Sequence, residues 1–167
     1  MDAAIVILAL GTAQRLGELV LARRNTRRLM AAGAIEVAPG HYPAMVALHA
    51  AWLLGLWWLA PGRPVHVDLV VLYGLLQPFR GWVIWTLGKR WTTRIIVLPG
   101  APLVRAGPYR LMAHPNYTLV VLEIALLPLA FGLVDFALVF SILNAAVLLV
   151  RLRAEDEALH DGPTAWR

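Results

Sequence analysis

Apolar residues along the chain gather into five stretches, roughly Ala3 to Ala22, Pro43 to Ala60, Val65 to Leu87, Tyr117 to Phe131 and Leu133 to Val150. Crossing about 30 Å of hydrocarbon takes about 20 helical residues at about 1.5 Å each. The first three stretches meet that length. The fourth is short and contains Pro128, which is placed to kink it. Only Gly132 separates the last two, and one unbroken helix through both would far exceed a bilayer. They are therefore expected to form a hairpin with a tight turn at Gly132. The pattern predicts an all-α integral membrane helical bundle of about five transmembrane helices, as one domain over residues 1–167. Arg15 and Glu18 interrupt the first stretch and no small-residue cleavage pattern follows, which favours a span over a signal peptide.

Composition supports the same class. Hydrophobic residues make up 60% of the 167 and charged residues 15%, with a mean hydropathy of +0.68. A soluble domain holds about 45–50% apolar and about 25% charged residues, and could not hide so much apolar surface. The absence of cysteine excludes disulfides, Fe–S clusters, thiolate zinc sites and a cysteine nucleophile. A net charge of +5 raises the question of nucleic acid, but the arginines fall in the gaps between apolar runs, with no continuous basic face or recognition motif. Nucleic acid is not an expected partner; membrane lipids are.

The placement of the cations orients the chain instead. Arg23, Arg24, Arg27 and Arg28 follow the first stretch; Lys89, Arg90, Arg94, Arg105 and Arg110 follow the third; Arg151, Arg153 and Arg167 follow the fifth. With five spans these regions share one side, the cytoplasmic one, leaving only Arg63 opposite. Trp57 and Trp58 would mark the outer interface, and Trp82, Trp85 and Trp91 the inner one. The N-terminus is expected outside and the C-terminus in the cytoplasm, as in a multi-pass protein of a bacterial inner membrane.

The segment from Thr86 to Asn116 is long for a loop without structure. It holds a β-prone run, Arg94 to Leu98, a turn signal at Pro99-Gly100, and then Gly107-Pro108-Tyr109 and His114-Pro115-Asn116-Tyr117. Such a density of Gly and Pro fixes backbone direction, so a structured cytoplasmic loop is expected. Pro115 keeps His114 out of the α region, so the fourth helix should start at or after Pro115, with Asn116 able to cap it. Free N–H groups there suit an anion or carboxylate; the plainer reading is a simple helix cap with an interfacial Tyr.

A second constellation, Arg151, Glu155, Asp156 and Leu159, ends the fifth stretch. Arg151 and Glu155, at i and i+4, share a helix face, and the plain reading is a snorkelling Arg in a surface ion pair. Both constellations lie on the same expected side, and a hairpin would let them meet. Charges inside the spans also need partners. Arg15 and Glu18 can neutralise each other, Arg80 can snorkel, and Glu123 should point into the bundle. His41 and His49 flank the start of the second span. No HxxxH or HxxE pair occurs, so no metal site is expected.

With these residues placed, the chain resembles the isoprenylcysteine carboxyl methyltransferase family of integral membrane methyltransferases. The resemblance runs from Arg94 to Leu159 through Ala101-Pro102-Leu103-Val104, Gly107-Pro108-Tyr109, His114-Pro115-Asn116-Tyr117 and Arg151, Glu155, Asp156 and Leu159. It implies that S-adenosylmethionine is the methyl donor, bound by Arg94, Ala101–Val104, Tyr109, His114–Tyr117 and Glu155. Arg151 would be a substrate or catalytic residue. Asp156 stands where the family usually has a second Glu, and Ala113 where an Arg is common. Arg24-Asn25 and Gly40-His41-Tyr42-Pro43 look more like a bacterial subgroup, some of whose members sit beside polyketide synthases and methylate long-chain phenolic or pyrone lipids.

The acceptor implied is a lipophilic small molecule or lipid reached from the bilayer. A carboxylate acceptor needs only orientation, for which Arg151 suffices. A phenol-like hydroxyl, with a pKa of about 10, must be helped to ionise. That help could come from Arg151, or from a base such as Glu123, Glu18 or His41. The alternatives are a phospholipid N-methyltransferase and a non-enzymatic membrane subunit or carrier whose buried charges hold helices together.

Overall fold

The computed structural model describes residues 2–160, with side chains through Glu155; Arg167 and the side chains of Asp156 and Leu159 lie outside the described residues. Five helices carry the fold: α1 (Ala3–Ala31), α2 (Tyr42–Leu59), α3 (Val67–Leu87), α4 (Pro115–Ala130) and α5 (Val134–His160). Four apolar helical segments, Ala3–Ala31, Pro39–Leu59, Val67–Arg90 and Val134–Glu155, are long enough to cross a membrane. The chain is an all-α integral membrane bundle.

Helix α1 runs nine residues past the expected end at Ala22. Arg is a good helix former, so loss of apolar character did not end the helix. It stops where Gly33 takes φ +88° and the Ala34 N–H donates to the Leu29 carbonyl. The four arginines expected in a loop therefore stand on its last turns. At the other end Asp2 caps α1 through the Ala4 N–H (2.9 Å) and accepts from the Gly62 N–H (2.7 Å), tying it to the α2–α3 turn.

Helix α4 is the shortest of the five and the most enclosed, packed between α3 and α5. It begins at Pro115, as the sequence implies, but with His114 at the cap position and no side-chain cap. Asn116 does not cap it: the residue lies inside the first turn with its Oδ1 buried and unpartnered. Pro128 falls in the last turn, where its carbonyl accepts from Phe131 and Leu133, so it serves the hairpin turn that Gly132 completes at φ +68°. Leu8, Trp52, Leu56, Ile124, Leu127 and Phe131 fill the core between α1, α2 and α4.

The long loop is structured, as expected. Its β-prone run forms β2 (Ile96–Val97), which pairs antiparallel with β1 (Ile35–Glu36) from the α1–α2 connection, Ile35 opposite Val97 and Glu36 opposite Ile96. Asn25, buried on α1, donates to the Gly88 and Trp91 carbonyls and holds the start of the loop. These contacts gather the α1–α2 connection, the long loop and the end of α5 at one end of the bundle.

Candidate active site

At that end lies a cavity of about 500 Å³, within the ~300–1,000 Å³ common for small-molecule sites. Its floor is the C-terminal part of α5 and the first turn of α4; its walls are the loop that follows β2 and the turn at Gly107–Arg110. Gly107, at φ +53°, presses that turn onto α3, where an added Cβ would lie 2.5 Å from Thr86 Oγ1. Leu98 to Ala101 form a tight turn with Gly100 at φ +73° and the Ala101 N–H on the Leu98 carbonyl. Arg90 donates to the Pro102 carbonyl (2.6 Å) and pins the next stretch.

The two constellations of the sequence meet here. Arg151, 7% exposed, donates from Nε to the Tyr117 hydroxyl (2.8 Å) and from Nη1 to the Thr93 carbonyl (2.8 Å) and Met45 Sδ (2.9 Å). The Tyr117 hydroxyl donates in turn to Glu155. Arg151 therefore does not snorkel, and no direct ion pair with Glu155 is formed. Its Nε and Nη1 donors are committed to α2, the long loop and Tyr117, so Tyr117 links the two charges. The rings of His114 and Tyr117 stack with centroids 5.2 Å apart.

Arg94, Ala101, Pro102, Leu103, Val104, Tyr109, His114, Asn116, Tyr117, Arg151 and Glu155 all line the cavity. Pro115 does not; it starts the helix that carries its neighbours. Glu123 does not line it either, and lies deeper, ion-paired with Arg80 and Arg15. Arg80, expected to snorkel, is 2% exposed and also reaches Glu18 (3.1 Å). Among the described residues, Glu18 and Glu123 are thus engaged by arginines, while His41 Nδ1 rests on the Ala38 carbonyl. Reading the sequence missed Trp91, which also lines the cavity, and Asn25, which positions it. An Asn among arginines at a helix end was the available signal.

Burial, with the nearby Glu155 charge, pushes the Tyr109 hydroxyl up to about 12, so it stays a neutral donor. Arg94 is held charged by Glu36 (2.6 Å) and lies over the Tyr42 ring (4.1 Å), which fastens the β1 side to the loop.

The donor set fits a zwitterion bearing a sulfonium. Glu155 offers a carboxylate to an ammonium, the His114 ring offers a π face to a sulfonium while the Tyr117 ring already carries His114 and the Arg151 guanidinium (5.2 Å), and the first turn of α4, without a side-chain cap, suits a carboxylate. Buried Asn116 Oδ1 has no partner among the described residues, as expected of an acceptor awaiting a ligand N–H.

The fold and site are those of a membrane bundle with a small-molecule cavity at its polar end. The profile of the isoprenylcysteine carboxyl methyltransferase (ICMT) family matches residues 69–161, and the chain belongs to that family. It is also 38% identical to the uncharacterized protein YpbQ of Bacillus subtilis (strain 168), over 93% of this chain and 96% of that protein. No solved structure matches it. Members of the family use S-adenosylmethionine, so the general class of activity is methyl transfer at a membrane.

Proposed function

We propose that the protein is an S-adenosylmethionine-dependent O-methyltransferase acting on a lipophilic acceptor at the cytoplasmic face of a bacterial inner membrane. The observation that carries this reading is the Arg151–Tyr117–Glu155 chain, buried in one wall of the 500 Å³ cavity by the residues of the family motifs.

When bound, S-adenosylmethionine supplies a methyl group activated by its sulfonium. Glu155 would hold the donor's ammonium, the first turn of α4 its carboxylate, and the His114 ring face the positive sulfur. Arg151, fixed by three partners, presents its charge where the acceptor oxygen arrives and stabilises negative charge on it. Methyl transfer is an in-line displacement at carbon, so most of the protein's contribution is positioning. The gathering of eleven of the fifteen Lys and Arg residues at the cavity end, on α1, the long loop and the end of α5, supports the cytoplasmic assignment of that end.

The direct test is thermal stabilisation of the purified protein in detergent by S-adenosylmethionine or S-adenosylhomocysteine. Ligand at about 100 times Kd should add about 2.7 kcal/mol. No shift at millimolar ligand with folded protein would refute the reading.

A further inference from the structure

The cavity at the polar end holds two buried polar atoms that complement each other and do not meet. Trp91, 3% exposed, lines it with its indole Nε1–H unpartnered among the described residues. Asn116, from the first turn of α4, lines it too, with Oδ1 buried and equally unpartnered. An indole nitrogen only donates and an amide oxygen only accepts, so the two would bond if they were within reach. A buried donor or acceptor without a partner is costly. Two of opposite kind in one cavity mark a place for a ligand that offers both an acceptor and a donor.

Several contacts hold Trp91 there. Asn25 donates to its carbonyl (2.8 Å) and to that of Gly88 (3.0 Å), fixing the backbone from α1. The neighbouring Arg90 donates to the Pro102 carbonyl (2.6 Å), tying the stretch that follows Gly100 to the same part of the loop. Leu29 of α1, Leu87 of α3 and Ile95 also line the cavity with apolar side chains. Apolar walls of this kind suit the faces of a flat ring, and the indole N–H gives that ring a direction.

We infer that Trp91 and Asn116 read the adenine base of the methyl donor: the Trp91 indole N–H donates to a ring nitrogen, and Asn116 Oδ1 accepts from the 6-amino group. This rests on the methyltransferase reading above and adds to it a specificity for a 6-aminopurine. Glu155, the His114 ring and the first turn of α4 match the amino-acid and sulfonium end of the ligand, and the base is what they leave unmatched. Adenine carries acceptor and donor in one rigid plane. A ribose hydroxyl also donates and accepts, but a sugar diol gains nothing from apolar walls. A 6-oxopurine turns an oxygen toward Asn116 Oδ1, so two acceptors face each other and the ligand is rejected.

The test is calorimetric titration of the purified protein in detergent with S-adenosylhomocysteine and six analogues. These are its 1-deaza, 3-deaza and 7-deaza forms, the 6-oxo form S-inosylhomocysteine, and the 2′-deoxy and 3′-deoxy forms. Each deaza form replaces one ring nitrogen by C–H. With wild type, one deaza form should bind about tenfold more weakly and the other two within about twofold. The 6-oxo form should lose about tenfold or more. Trp91→Phe keeps a ring without a donor. It should weaken S-adenosylhomocysteine about tenfold and leave the sensitive deaza form unchanged, so that the two then bind alike. Asn116→Ala should lose most of the preference for 6-amino over 6-oxo. A Trp91 that serves only packing would lower every ligand by one factor, and that result overturns the inference. So does a wild type that binds S-adenosylhomocysteine yet treats the deaza and 6-oxo forms alike, or that discriminates only against the deoxy sugars. The wild-type titrations need no substitution, so they decide even where Trp91→Phe disturbs folding. Failure of wild type to bind S-adenosylhomocysteine would instead strike the methyltransferase reading itself.

Discussion

Arg80 of α3 and Glu123 of α4 form an ion pair in the interior of the bundle, with side-chain exposures of 3% and 1%. Arg15 of α1 joins Glu123, and Glu18 joins Arg80, so two cations and two anions close a neutral network that couples three helices. Gln77 donates to both this network and its own helix, from Nε2 to Glu123 (3.2 Å) and to the Tyr73 carbonyl (3.0 Å). Neutrality explains how four charges are tolerated at this depth.

Removing one member leaves an uncompensated charge, so Glu123→Leu should cost about 3–5 kcal/mol. In a chain of this size that is a fall of about 10 °C in the thermal midpoint. Arg80→Leu combined with Glu123→Leu leaves the Arg15–Glu18 pair (3.7 Å) neutral and should recover most of the loss. Thermal unfolding of the three variants in one detergent checks this. A double variant no better than the singles would remove neutrality as the explanation.

Much of this was legible in the sequence, for a physical reason. Apolar runs of bilayer length can only be helices, and two runs separated by Gly132 can only turn back on themselves. Tyr117, Arg151 and Glu155, singled out by the order of short motifs, meet at one cavity because they flank the hairpin formed by α4 and α5. What was not legible depends on partners far away in the chain. β2 needed Ile35 and Glu36, some sixty residues earlier, and neither has a periodicity that announces a strand. Arg80 looked able to reach the interface because its sequence position lies near one; only the fold supplies Glu123 and Glu18 as closer partners.

Glu155 is reached by the Tyr117 hydroxyl alone among the described residues, and so retains acceptor capacity. Glu155→Gln should weaken S-adenosylhomocysteine binding by about tenfold or more, the scale of one charge-assisted hydrogen bond at about 1.5–3 kcal/mol. Calorimetric titration gives the affinity directly. Unchanged affinity would take Glu155 out of the cofactor site. Tyr117→Phe, which frees Glu155 but leaves the ring, should have the smaller effect.

Two loop glycines should behave differently. Gly100 has φ +73° and open space where a Cβ would go, so Gly100→Ala pays only the left-handed backbone cost, about 1–2 kcal/mol. Gly107 has φ +53°, and its Cβ would meet Thr86 Oγ1 at 2.5 Å and Trp82 Nε1 at 3.1 Å on α3. Gly107→Ala must lift the turn that carries Tyr109 away from the helix. It should lose cofactor affinity while helical circular dichroism stays unchanged. Equal affinity losses in the two variants would show that backbone strain, and not docking on α3, is the controlling factor.

Tyr109 gives the site an alkaline signature. Burial first, and the Glu155 charge second, raise its hydroxyl to about 12 in the folded protein. In the unfolded chain it ionises near pH 10, as tyrosine does. Between those values the unfolded state binds fewer protons than the folded one, so stability falls as pH rises from about 10 to about 12. Tyr109→Phe removes one of the tyrosines that titrate and should make the fall of the thermal midpoint across that window shallower, leaving the midpoint near neutral pH little changed. Glu155→Gln removes one of the two causes and should bring the tyrosinate absorbance of Tyr109 in at lower pH. Because Tyr109 and Glu155 face the same cavity, S-adenosylhomocysteine placing its ammonium on Glu155 should shift that absorbance in the same direction, and an unmoved titration would separate Tyr109 from the ligand.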